Sequence, residues 1–213
     1  GILTSDPKIC ADVVRLFDGL ENGVLHDDYR ALLVSPTTLK KTLLKKIKYE
    51  QNMAERGDKA YICMKMNSLT DIDIINALVA ASNAGVMIDL IIRGICCLKA
   101  GVPGATENIT VTSIVGRYLE HSRIYYFGID AKNGIFIGSA DMMTRNTSRR
   151  IEVLTPVYDE KIAETLVEMT KMQLADNVKA QEMQPDGKYK KRRPASYEER
   201  RIDSQIEMYN LYK

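Results

Sequence analysis

Apolar positions along this chain keep two rhythms, and each predicts a different element. Ser5-Asp6-Pro7 offers a capping side chain followed by proline, and Ile9, Val13, Leu16, Phe17 and Leu20 continue at helical spacing until Asn22-Gly23 stops them. Residues 24–28 read as loop, and residues 30–34 as a short buried strand ended by Ser35-Pro36. A long helix is expected from Thr37 to about Arg56, with Leu39, Leu43, Leu44 and Ile47 turned inward and its lysines on a solvated face. Residues 60–66 alternate weakly as a strand. Residues 67–71 then cap a helix over 72–84, which ends at Asn83-Ala84-Gly85. Residues 86–93 are almost continuously apolar, as in a strand buried on both faces. Strand, helix and strand in that order predict a right-handed parallel crossover. Ligands of such sheets sit beyond the carboxyl ends of the strands, where Asn67 and Arg93 fall.

The second half adds a loop over 94–108 and strands at 109–114, 122–127, 134–138 and 150–155, with Pro156 ending the last. An amphipathic helix runs from Asp159 to about Ala175. After Met183 the composition changes. Pro185 to Pro194 is a basic stretch read as a linker, and Ser196 with Glu199 forms a capping box that opens a closing helix to Tyr212. The division expected is therefore a main α/β domain over 1–183, with the linker and closing helix of 184–213 packed on it.

Composition narrows this picture only a little. With 45% hydrophobic and 27% charged residues the chain is globular, and a net charge of +2 argues for neither nucleic acid nor membrane. No apolar run reaches the ~20 residues a membrane helix needs. Cys10, Cys63, Cys96 and Cys97 have neither metal-ligand nor disulfide spacing, which suits a reducing cytosol. The opening Gly1-Ile2-Leu3-Thr4 starts inside a strand-like run without methionine, so a piece of something longer is expected.

Candidate chemistry gathers around His121, one of two histidines. His26, the other, reads as a surface residue beside aspartates. If residues 122–127 form a strand, His121 and Arg123 emerge on one face where it begins. A lone histidine after a strand is usually structural, but here a small polar turn follows at Gly138-Ser139, with Arg145 after it. Histidine can hold or pass a proton near neutral pH, and arginine presents a fork that fits phosphate oxygens. Arg93 leaves an apolar strand at the ligand edge, either to serve a site or to pair with Glu107. Arg150 alternates onto the site face. Arg145 either joins the site or pairs with Asp141.

Three stretches at these residues, 90–97, 113–123 and 138–146, resemble polyphosphate kinase of the long bacterial class, and the resemblance extends over essentially the whole chain. It implies a phospholipase D-like fold, a mixed sheet of about six or seven strands flanked by helices with a C-terminal helix. The family moves the terminal phosphate of ATP reversibly onto inorganic polyphosphate, with magnesium. Its phosphorylated histidine and its magnesium ligands lie in a preceding domain, so no metal site is expected here. By the motif match His121 is the second active-site histidine, an acid, base or charge stabiliser. Arg93 is a phosphate-binding arginine of the nucleotide site, with Arg150 and Arg145 as further candidates. Partners implied are ATP or ADP, polyphosphate, the upstream domains and further copies of the chain, in the cytoplasm. Phospholipase D enzymes carry lysine two residues after the histidine and aspartate five after that. Arg123 and Gly128 stand at those places, which weakens a hydrolase reading. A phosphate-binding or assembly domain without chemistry is the alternative.

Overall fold

The computed structural model describes residues 1–211 and 213. Helix α1 (Pro7–Glu21) is capped by the Asp6 carboxylate, which accepts from the amides of Lys8 and Ile9. Strand β1 (Leu33–Ser35), helix α2 (Leu39–Glu55) and strand β2 (Tyr61–Met66) follow. Next come helix α3 (Ile72–Asn83), strand β3 (Met87–Ile92) and strand β4 (Ile109–Ser113). Strands β5 (Ile124–Phe127) and β6 (Ile135–Gly138) flank a short 3-10 turn, and α4 (Thr144–Ser148) leads into β7 (Glu152–Pro156). Helix α5 (Glu160–Leu174), strands β8 (Gln181–Met183) and β9 (Tyr189–Lys191) and helix α6 (Ser204–Leu211) close the chain.

All the strands join one mixed sheet of order β1-β7-β6-β5-β2-β3-β4-β8-β9. The expected crossover is present: β2 runs parallel to β3, and β3 parallel to β4. Alternation along each strand splits the sheet into two faces. Ile62, Met64 and Met66 of β2 join Tyr125 and Phe127 of β5 in the larger core, under Leu39, Leu43, Ile47, Ile74 and Leu78 of α2 and α3. Cys63, Ile124 and Tyr126 face the other way, toward Val167 of α5. Burying a Leu, Ile or Phe side chain contributes about 1.5–3 kcal/mol, so the helices lie where the strands offer most apolar surface.

Pairing directions decide what stands at the ligand edge. The carboxyl ends of β2, β3 and β4 lie there. Antiparallel pairing of Lys65 with Ile124 brings the start of β5 to the same edge. Pairing of Ile124 with Ile137 puts the end of β6 beside it. Widely separated segments thus converge, and β2, β3, β5 and β6 each carry a polar residue just outside the strand.

Several expectations need correction. Nine strands form the sheet rather than six or seven. The stretch read as a basic linker contains β9, which pairs with β8, itself docked on β4. The closing helix starts at Ser204, not near Ser196. Glu199 is drawn away to the amides of Ala195 and Asn177, so no capping box forms. The expected end of that helix at Tyr212 lies outside the described residues. In α1 only part of the apolar stripe is covered: Ile9 and Leu16 are buried, whereas Phe17 is exposed.

Candidate active site

Five side chains at the sheet edge form one continuous line of hydrogen bonds. Asp141, just past β6, is its centre and is 7% exposed. The turn that carries it is locked from beneath, because the buried Tyr125 hydroxyl donates to the Ala140 carbonyl at 2.6 Å. Asn67, just past β2, donates to Asp141 from its backbone amide at 2.7 Å and from its side chain at 3.0 Å and 3.2 Å. Its amide oxygen then accepts from Arg93 Nε at 2.6 Å. On the other side Arg123 grips both carboxylate oxygens of Asp141. The Nη1 of Arg123 lies 3.2 Å from His121 Nδ1 and donates to the His121 carbonyl at 3.1 Å.

Donor counting shows which groups remain free for a ligand. Arginine has donors only, so His121 Nδ1 must accept and the neutral ring carries its proton on Nε2. His121 is exposed, so that N–H is open to an incoming group. Arg123 is occupied on all three nitrogens and serves to position. Arg93 is occupied only at Nε, which leaves its two terminal nitrogens as a fork without partners among the described residues. Guanidinium forks of this kind match phosphate oxygens.

Behind the line lies a buried ion pair. Lys65 on β2 is 2% exposed and meets Glu120 at 3.0 Å. Burial holds the Lys65 ammonium below the ordinary lysine value; Glu120 opposes this, and nearby Arg93 and Arg123 add to it. Gln173 and Gln205 also donate to Glu120, at 2.8 Å and 2.9 Å.

The structure joins two of the four arginine and histidine candidates and leaves two apart. Arg93 and His121 belong to the same line. Arg93 pairs with Asn67 and not Glu107, and Asp141 pairs with Arg123 and not Arg145. Arg145 is exposed on α4, and its side chain has no hydrogen bond or ion pair among the described residues. Arg150 stands two residues before β7 and approaches Glu152 at 3.9 Å, largely in solvent. His121 and Arg123 do meet, but in a loop, because β5 starts only at Ile124. Ser139 turns its hydroxyl to the Val153 amide rather than outward.

Sequence reasoning missed Asp141 as the hub, and it missed Lys65. A lysine in the middle of an otherwise apolar strand was the available signal for the second. Gly128 stands where phospholipase D enzymes have aspartate, and its φ of 75° together with a contact of 2.8 Å from a would-be Cβ to Asn133 leaves no room for one.

Magnesium does not fit the donors present. Both oxygens of Asp141 and both of Glu120 are already engaged by nitrogen donors. Among the described residues no group of three or more His, Cys, Asp or Glu side chains could hold a metal ion. Nor is any described helix long and apolar enough to cross a membrane.

Comparison with known proteins adds an independent line. Residues 32–205 match the family model described as polyphosphate kinase C-terminal domain 2. A polyphosphate kinase of Thermosynechococcus vestitus is 47% identical over the whole of this chain, which covers 29% of that protein. The crystal structure of polyphosphate kinase from Porphyromonas gingivalis superposes with a TM-score of 0.90 at 36% identity, over 98% of this chain and 32% of that one. NucT from Helicobacter pylori shares the fold alone, with a TM-score of 0.50 at 16% identity over 68% of this chain and 94% of its own. The chain thus spans less than a third of the length of the polyphosphate kinases it matches.

Proposed function

The chain belongs to the polyphosphate kinase family, to its C-terminal domain 2, and on that premise we propose that it forms half of a composite site passing the terminal phosphate of ATP, reversibly, to inorganic polyphosphate. In this reading the nucleophile is a histidine in a preceding domain of a longer chain. Its nitrogen attacks the terminal phosphorus, the bond from that phosphorus to the bridging oxygen breaks, and ADP leaves with the electron pair. The end oxygen of a polyphosphate then attacks the phosphohistidine, and the phosphorus–nitrogen bond breaks. Both steps ask the protein chiefly for position and positive charge.

One observation carries the reading: the free Arg93 fork and the outward His121 Nε2–H lie on one sheet edge, tied together through Asn67, Asp141 and Arg123. Arg93 holds oxygens of the phosphoryl group. His121 donates its Nε2–H to another and stabilises the negative charge that gathers there during transfer. The reverse role, with His121 itself phosphorylated at Nε2, would require moving the proton to Nδ1 and breaking the contact with Arg123. Arg150 and Arg145 add positive charge for the polyanion. Magnesium, which the family's reaction uses, is left to residues outside this chain. With ATP as substrate the reaction belongs in the cytoplasm, and the longer chain assembles as a homo-oligomer.

ATP-dependent polyphosphate synthesis by the longer chain is the test. His121→Ala is expected to lower kcat by on the order of 10²-fold or more. Synthesis at the parental rate would leave this domain a binding or assembly role only.

A further inference from the structure

We propose that Gln205 is a positioning residue for His121, through which helix α6 is built into the site; the inference rests on the role given to His121 above. His121 sits at the end of an irregular segment, residues 114–123, that has only one short internal backbone bond, from the His121 amide to Leu119. A segment of this kind has no ladder to fix it and must be held from outside. Gln205 does so. Its Oε1 accepts from the Tyr118 amide at 2.9 Å, and its Nε2 donates to the Tyr118 carbonyl at 2.8 Å and to Glu120 Oε1 at 2.9 Å. One side chain thereby fixes both backbone groups of Tyr118 and the carboxylate that immediately precedes His121.

Helix α6 is docked by these polar contacts rather than by an apolar face. Its buried residues among those described are Ser204 and Gln205, whereas Ile206, Tyr209 and Leu211 are exposed. The start of the helix is itself anchored. Asp176, fully buried, accepts on Oδ2 from the amide and the hydroxyl of Ser204, both at 2.8 Å, and on Oδ1 from the amides of Val178, Lys179 and Ala180. The Tyr118 ring stacks on Tyr209, with centroids 6.2 Å apart and 17° between planes. A chain of contacts therefore runs from the end of α5 through Asp176, Ser204 and Gln205 to Tyr118 and Glu120. Gly116 completes the fit, since a Cβ there would stand 2.4 Å from Gln205 Oε1.

If Gln205 acts through His121, its removal should cost turnover where His121 is present and nothing where it is absent. Arg93 leaves β3 and is held directly by Asn67 rather than by the segment that Gln205 fixes, so ATP binding should change little. The experiment measures kcat and KM for ATP in the longer chain, for the parent, Gln205→Leu, His121→Ala and the double variant. We expect Gln205→Leu to lose at least about tenfold in kcat with KM for ATP within about threefold, and the double variant to match His121→Ala. Gly116→Ala displaces the same amide from an exposed loop position and should reproduce the kcat loss even if Gln205→Leu fails to fold. Parental kcat in Gln205→Leu or, where that protein does not fold, in Gly116→Ala overturns the proposal. So does an undiminished Gln205→Leu loss in the His121→Ala background. Parental kcat in His121→Ala would instead overturn the reading of His121 on which this one rests.

Discussion

Arg123 meets Asp141 side-on, with Nε to Oδ1 and Nη2 to Oδ2 each at 3.2 Å, and this leaves its third nitrogen aimed at His121. A planar fork can serve both partners at once, whereas an ammonium cannot. Arg123→Lys should therefore keep a positive charge near Asp141 but release His121. In the longer chain kcat for polyphosphate synthesis should fall about 10- to 100-fold while KM for ATP stays near the parental value, as steady-state kinetics would reveal.

Asp141 bears more than the site, because it is nearly buried and its partners come from β2 and from the start of β5. Asp141→Leu leaves Arg123 facing no counter-charge in a nearly dry position. That should destabilise the domain by about 3 kcal/mol, read as an earlier unfolding transition in denaturant, whereas Arg145→Ala, which breaks no side-chain hydrogen bond or ion pair among the described residues, should leave the transition in place.

His121 holding its proton on Nε2 has a chemical consequence. When the longer chain is incubated with radiolabelled ATP and digested, labelled phosphate should appear on a histidine outside this domain. A labelled peptide spanning His121 would reverse the assignment of donor and nucleophile.

Asp176 gives α6 a pH dependence. Burial raises its carboxyl, but the amides of Lys179, Ser204 and Val178 and the Ser204 hydroxyl outweigh that and hold it below the ordinary aspartate value. A depressed folded value means that the stabilisation is complete above the unfolded value of about 3.9 and is lost as pH falls through the lower, folded one. The protection of the α6 amides, taken as exchange relative to the intrinsic rate at each pH, should thus be high at pH 6 and be lost as the solution is taken well below pH 4, and Asp176→Asn should be poorly protected at both.

Legibility in the sequence followed how much of each element is decided locally. The parallel strands and their helices were readable because their own apolar pattern buries them, and Arg93 stood out as a cation leaving such a strand. Asp141 was not readable as the hub. Its partner Arg123 is brought to it by the pairing of β5 with β6, whereas the partner suggested by sequence was Arg145, four residues away. Strands β8 and β9 are three residues each and mostly exposed, so no alternation marks them; their pairing with β4 and with each other makes them strands. The closing helix was placed too early because Ser196 and Glu199 have the spacing of a cap, yet tertiary partners claim Glu199. Gln205 carried no local signal at all, since its partners lie 85 and 87 residues away.

For the edge to work as a phosphoryl-transfer site, Arg93 and His121 must address the same phosphoryl group. A crystal structure of the longer chain with a non-hydrolysable ATP analogue would decide it. We expect one phosphoryl group within about 3 Å of both an Arg93 terminal nitrogen and His121 Nε2. An analogue whose phosphates touch neither side chain, or only one of them with the other turned to a separate surface, would contradict it.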